Sequence, residues 1–287
     1  MGMLFSSTNC VVNFIGTFIV ATQANLVSDR LDLPMEEPFS VENSEQTLLC
    51  FKYGSATTKG KPDYLLSGSI FNDQYKFFFN EGQLSRMITL NVSPPRSDDV
   101  IRGRADELME QTASISATNA YHLATNWLDK VNVDVEKLCS EYQLRIHQWQ
   151  STVRSVAPGV LEELDEPVKL PVFKVEWEKE TIVGREKAIR PFVTVLIDGR
   201  TGELVELITK DDFRTPDDTI FLVHPIRLVH VDELLSISEM EFLKMDDTQK
   251  SNLVKRFVAS ESMQRISSTK KDTPAKEQKT EEKKKTD

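Results

Sequence analysis

Four histidines, His122, His147, His224 and His230, are the side chains of this chain that change protonation near neutral pH or offer an imidazole to a metal. His122 stands beside an apolar helical stripe, where a structural or exposed role is expected. His224 and His230 lie six apart in FLVHPIRLVHV, a spacing that puts both on one face of a continuous strand, but Pro225 between them interrupts the ladder. Carboxylates cluster as Asp211, Asp212, Asp217 and Asp218 in KDDFRTPDD. General acid/base work on a sugar needs two carboxylates across a cleft with pKa values pushed apart, and adjacent aspartates in a proline-containing loop do not supply that. The chain contains no GxSxG or HExxH pattern, no glycine-rich phosphate loop and no CxxC. The residues therefore nominate no catalytic, cofactor-binding or metal site, and no cofactor. A hydrolase of unrecognised type stays open, because triads are built by geometry rather than by sequence order.

One further stretch has the composition of a ligand loop. PFVTVLIDGRTGELVEL, residues 191–207, surrounds a polar DGRTGE with apolar residues. Asp198 and Glu203 supply two carboxylates, too few for a calcium ion that takes six to eight oxygens, so a hairpin corner is expected. Gly199 and Gly202 are both expected at positive φ, where a Cβ is penalised.

The elements that would position these residues change along the chain. The first 24 residues carry no charged side chain and include CVVNFIGTFIVA, followed by Thr22-Gln23-Ala24. A secretory signal cut near Ala24 is the leading reading, with a short membrane anchor and an ordinary buried segment as rivals. MGMLFS also fits a myristoylation pattern at Gly2 and Ser6. Residues 25–46 read as a polar arm and 47–111 as a β-rich unit, with a turn at Asn80-Glu81-Gly82-Gln83. Residues 98–109 suit a short helix. From Ser116, the residues Ala120, Leu123, Ala124, Trp127, Leu128 and Val131 fall on one face of a 3.6-residue repeat. Residues 148–166 give no clear pattern. In LPVFKVEWEKE, Phe173, Val175 and Trp177 alternate with Lys174, Glu176 and Glu178, as in a half-buried strand. Residues 240–259 read as a C-terminal helix, and 260–287 as a disordered tail by composition.

The net charge is −10, and residues 25–259 alone hold 27 Lys plus Arg against 39 Asp plus Glu. A body this acidic repels polyphosphates, so nucleic acid and anionic membrane surfaces are poor candidate partners. Without the first 24 residues, Cys50 and Cys139 would remain, either joined as a disulfide or as two separate thiols.

Ser116, Ala120 and Ala124 form an SxxxAxxxA helix face, and the strand VFKVEWE and the turn VLIDGRTGE follow it. In this order they resemble the PepSY family of peptidase propeptides and cell-envelope proteins, over residues of about 112 to 210. A fainter likeness is to secreted uncharacterised proteins of the Verrucomicrobia type. Asp198, Thr201, Gly202 and Glu203 match the family's D-x-x-T-G-E turn, whereas some forty residues separate the helix from the strand at Val172, more than the family pattern has. The resemblance implies an α+β fold of antiparallel sheets packed against amphipathic helices, as one or two PepSY-like or cystatin-like units, with residues 112–259 forming the PepSY-like unit and its C-terminal helix. It also implies an exported, non-catalytic module in the periplasm or outside the cell that binds another protein or peptide or modulates a protease. No membrane span is expected after signal cleavage, and membrane association if the segment is retained. An intracellular structural protein is the alternative if the N-terminal segment is not a signal.

Overall fold

The computed structural model describes residues 2–4, 10–58, 61–80, 82–90, 108–157, 160–183, 186–209, 227–230, 233–234 and 236–258. Asp211, Asp212, Asp217, Asp218, His224, most of the short helix expected at 98–109, and the tail from 260 lie outside these residues. In chain order the elements are β1 (Gly2–Leu4), α1 (Cys10–Leu31), β2 (Glu45–Thr58), β3 (Lys61–Phe71), β4 (Tyr75–Asn80), β5 (Gln83–Thr89), α2 (Ala117–Lys130) and α3 (Val135–Glu141). Then follow β6 (Gln143–Ala157), β7 (Val160–Val183), β8 (Glu186–Asp198), β9 (Leu204–Ile208), β10 (Arg227–Leu228), α4 (Glu239–Leu243) and α5 (Asp247–Phe257). The fold is α+β, with helices packed against one antiparallel sheet. Its strand order is β1-β2-β3-β4-β5-β9-β8-β7-β6, and β10 pairs with β3.

The apolar N-terminal run forms a single helix of 22 residues, long and apolar enough to cross a membrane by length and composition. Within the fold this helix is packed on several sides. Val11, Ile15, Ile19 and Ala24 are sealed from solvent in the same core as Ile70, Phe77 and Met87 of the sheet. The Phe14 ring meets Phe242 of α4 at 5.2 Å between centroids. A helix that is apolar all round needs cover on more than one side, and here the sheet and the C-terminal helices bury more than half of it. The boundary expected at Ala24 falls inside α1. Residues beyond it, expected as a polar arm, complete the helix and then return to the core, where the Asn25 side chain bonds both the N–H and the C=O of Phe39.

Two corrections concern the second half. Of the residues without a clear pattern, 148–157 and 160–166 are strand, where β6 pairs with β7, because polar residues at a sheet edge keep no clear period. The expected single C-terminal helix is two, since Asp246 caps α5 through the N–H of Gln249 and interrupts the run. Cys139 is a free, exposed thiol, so it has no disulfide to Cys50.

The same element order occurs twice: a helix, then a four-stranded antiparallel meander, with the two last strands, β5 and β9, paired at the centre. Details repeat with it. Both helices end in a Schellman motif with a residue at positive φ, Asp32 at 53° and Asn132 at 59°. The closing bonds are Leu33 N–H to Ser28 C=O at 3.0 Å and Val133 N–H to Leu128 C=O at 2.9 Å. The turn after the third strand reaches back to the second in each half, Gly82 N–H to Leu66 C=O and Gly199 N–H to Pro171 C=O, both 2.8 Å. Each last strand carries an extra residue at the same place, Ser85 and Val205. Across the centre, Thr89 Oγ1 donates to Leu204 C=O and Thr209 Oγ1 to Leu84 C=O. The sequences agree locally, DRLDL with DKVNV and GQLSRMIT with GELVELIT.

Candidate functional site

The DGRTGE corner is a hairpin turn clamped from several directions, and it also forms one wall of a cavity. Asp198 is almost fully buried at 1% exposure. Both its oxygens accept from Arg200, Oδ1 from Nε at 2.9 Å and from the backbone N–H at 2.8 Å, and Oδ2 from Nη2. The remaining Nη1 of Arg200 donates to Gln111 Oε1 at 2.6 Å. Ser114 and Ile115 N–H both donate to Gly199 C=O, which ties the turn to the segment that leads into α2. Gly202 has φ of 77°, as the turn requires. Gly199 is not at positive φ. It is needed because a Cβ there would stand 2.9 Å from the Pro171 carbonyl oxygen.

The cavity, of about 580 Å³, opens where the two halves meet. Leu31, Asp32, Leu33 and Pro34 at the end of α1 form one side, Gln74, Tyr75 and Thr89 of the first meander a second, and Trp127 of α2 a third. The turn from Asp198 to Leu204 closes it. Its lining is mostly apolar, with Tyr75 and Trp127 as its aromatic side chains. Tyr75 OH lies 3.4 Å from Pro34 C=O, toward which it donates. Burial, and secondarily the Glu203 carboxylate, push the Tyr75 phenol above its ordinary pKa. Thr201 Oγ1 donates to Glu203 Oε2 at 3.2 Å. Lys130 Nζ pairs with Asp32 Oδ2 at 2.6 Å.

The histidines do not converge on this cavity. His122 is exposed on α2 with its ring against Tyr121. His230 has φ of 57° and faces Glu233 at 3.5 Å. His147 lies on the sheet face turned away from α1 and α2, with Nδ1 3.9 Å from Glu176. Burial lowers its pKa, followed in size by the opposing influence of Glu176.

This outer face departs from the half-buried strand that alternation suggested. Glu176 and Glu178 of β7 point away from the helices as expected, yet they are 4% and 6% exposed. Partners on the same strand and on its neighbours compensate them: Lys174 Nζ at 2.8 Å on β7 itself and Thr194 Oγ1 at 3.3 Å on β8 for Glu176, and Arg145 Nε at 3.5 Å on β6 for Glu178. Thr194, Glu176 and His147 thus form a chain with the carboxylate in the middle. Nucleophilic catalysis needs the imidazole between hydroxyl and carboxylate, so this order cannot activate the threonine.

Sequence reasoning found the turn but missed Tyr75, Trp127 and Asp32 as its neighbours across the cavity. The signal that points to them is the paired DRLDL/DKVNV and GQLSRMIT/GELVELIT, which locates the two helix ends and the two turns in equivalent places. Comparison of the chain with models of known families, with curated proteins and with solved structures finds no match.

Proposed function

We propose that this chain is a non-catalytic binding module whose site is the cavity between the α1 end, the β4–β5 meander, α2 and the DGRTGE turn. The observation that carries the reading is that a rigidly hydrogen-bonded turn, an aromatic wall and several polar groups from both halves converge on one concave space. Apolar walls with a few placed polar groups are what small ligands and peptide side chains require. In this reading the occupant belongs to another protein or a peptide, in line with the resemblance of residues 112–210 to PepSY domains. Supporting that likeness are the helix face of Ala120 and Ala124, both buried, and the hairpin turn that follows. The repeated helix-and-meander order extends the likeness to two units.

The proposal of a location outside the cytoplasm rests on the apolar N-terminal helix. The same helix is consistent with a signal sequence, and a cut after Ala24 would take Val11, Val12, Ile15, Ile19 and Val20 out of the core of this fold. Export is therefore proposed with this helix retained.

Two-dimensional NMR of the full chain against a mixed library of small peptides and fragments tests the reading. Shifts are expected to concentrate on Tyr75, Trp127, Thr201 and Gly202. Shifts confined to other surfaces would overturn the assignment of the site.

A further inference from the structure

The repeated architecture provides an internal comparison for part of the cavity, because several residues that line it have counterparts in the other half, whereas the longer DGRTGE turn adds two residues that the first half lacks. Tyr75 aligns with Val193 through the pairing of β4 with β5 and of β8 with β9. Trp127 aligns with Val27, three positions before the residue pair Lys130 and Arg30 in the matched helix ends. Asp32 aligns with Asn132, and Glu203 with Gln83. In the last two pairs the counterpart is the amide of the same shape. The helix end and the turn therefore form without a carboxylate at either place, and the negative charge is an addition that the backbone does not require.

The charges around the cavity do not cancel. Lys130 neutralises Asp32 and Arg200 neutralises Asp198, while Glu203 is exposed at the rim and accepts only a neutral hydroxyl bond from Thr201 among the bonds described above. Behind it the two residues that replace valines are aromatic, Tyr75 and Trp127. A carboxylate at the mouth of an aromatic recess complements a cation carried on an apolar stem: the charge meets Glu203, and the methylenes lie on the rings, whose faces also attract cations.

We propose that this cavity binds a primary ammonium group on a short apolar stem, as carried by a lysine side chain or a free alkylamine, with Glu203 as its counter-ion and Tyr75 and Trp127 as the walls for the stem. This rests on the binding-module reading and adds the class of ligand to it.

The test uses the full chain and three probes: Nα-acetyl-lysine amide, its norleucine analogue, and n-butylamine. The readout is the indole N–H signal of Trp127, assigned with Trp127→Phe. Both ammonium compounds are expected to shift it, with the norleucine analogue weaker by about tenfold or more, the worth of one charge-assisted hydrogen bond. Glu203→Gln is expected to weaken the ammonium probes by about the same factor and to leave the melting temperature unchanged, because Gln83 already occupies the equivalent turn. Equal binding of the lysine and norleucine compounds would overturn the ammonium inference and leave the binding module standing. Shifts from n-butylamine alone would keep the ammonium site and overturn a peptide as its source. No shift from any probe would overturn the inference, whereas failure of the binding-module reading shows separately as a library that leaves the cavity residues untouched. Should Glu203→Gln fold poorly, the lysine-against-norleucine comparison on the unaltered chain still decides.

Discussion

Gly199 and Gly202 sit in one turn and are required for different physical reasons. At Gly202 the backbone conformation is left-handed, so Gly202→Ala is expected to lower stability by about 1–2 kcal/mol, and Gly202→Asn by less, because asparagine tolerates that region. At Gly199 the obstacle is the Pro171 carbonyl, and Gly199→Ala or Gly199→Asn should both be destabilising, with no polar residue relieving the contact. Urea unfolding midpoints of the four variants check this, and equal rescue by asparagine at both positions would contradict it. The sequence showed that these glycines punctuate a turn but not which needs φ and which needs space, since the strand that approaches Gly199 is some thirty residues earlier. His147 allows a pH prediction. Its folded pKa is lowered by burial, so the unfolded chain takes up the proton first as pH falls. The stabilising contribution is thus fully present above the unfolded value of about 6.5 and is lost as pH falls through the folded pKa. An NMR titration should place His147 below the ordinary histidine value of about 6.5, and His147→Gln should flatten the acid side of the stability profile.

At the scale of elements, α1 shows how far an apolar pattern can be read. That residues 10–24 form an uncharged apolar run was legible, whereas its helical state was not read. Whether such a helix meets lipid, a signal peptidase or a protein core depends on what covers it, and the covering helices α4 and α5 come more than 200 residues later in the chain. Ile15→Ala and Ile19→Ala are each expected to cost about 2–5 kcal/mol, as for buried aliphatic side chains whose space is not refilled. A chain beginning at Asn25 should lack the cooperative melting transition of the full chain. Retention of that transition, with an N-terminus near Asn25 in protein from the native host, would show that α1 is dispensable. The stripe of α2 was read correctly at Ala120, Ala124, Trp127 and Leu128, because one-sided burial leaves a clean period. The β7 strand was read correctly on its inner face only. Glutamates 176 and 178 look like solvent residues in a linear pattern, and their cover comes from cations on the same strand and on a neighbouring one.

Over the whole molecule, two like halves share one sheet and one core. The sequence carried this in short matched pieces, but the separation is 100 residues at the helix ends and 120 at the last strands. Differences in strand and turn length spread the copies, so no single period reveals them. Among the described residues, the strands of the two halves pair through Arg86↔Ile208, Met87↔Leu207 and Ile88↔Glu206, flanked by the Thr89 and Thr209 hydroxyl bonds. Thr89→Val and Thr209→Val should each lower stability by about 1 kcal/mol, the net worth of one hydrogen bond, while the shared core keeps a single urea transition. Calorimetry that resolved two transitions in the unaltered chain would show instead that the halves fold independently.

That narrow junction can also be made by another molecule. β9 needs a β5 beside it, and nothing in the backbone pairing specifies that both belong to the same chain. Two chains could open at the junction and close on each other, forming a reciprocal dimer with the same hydrogen bonds and the same buried residues as two monomers. What favours the closed monomer is the tether from Leu90 to Ser116, which holds the two strands at an effective concentration on the order of millimolar. Refolding from denaturant in dilute solution should therefore give monomers, and refolding at concentrations approaching that value should trap exchanged dimers that separate only as fast as the whole sheet unfolds.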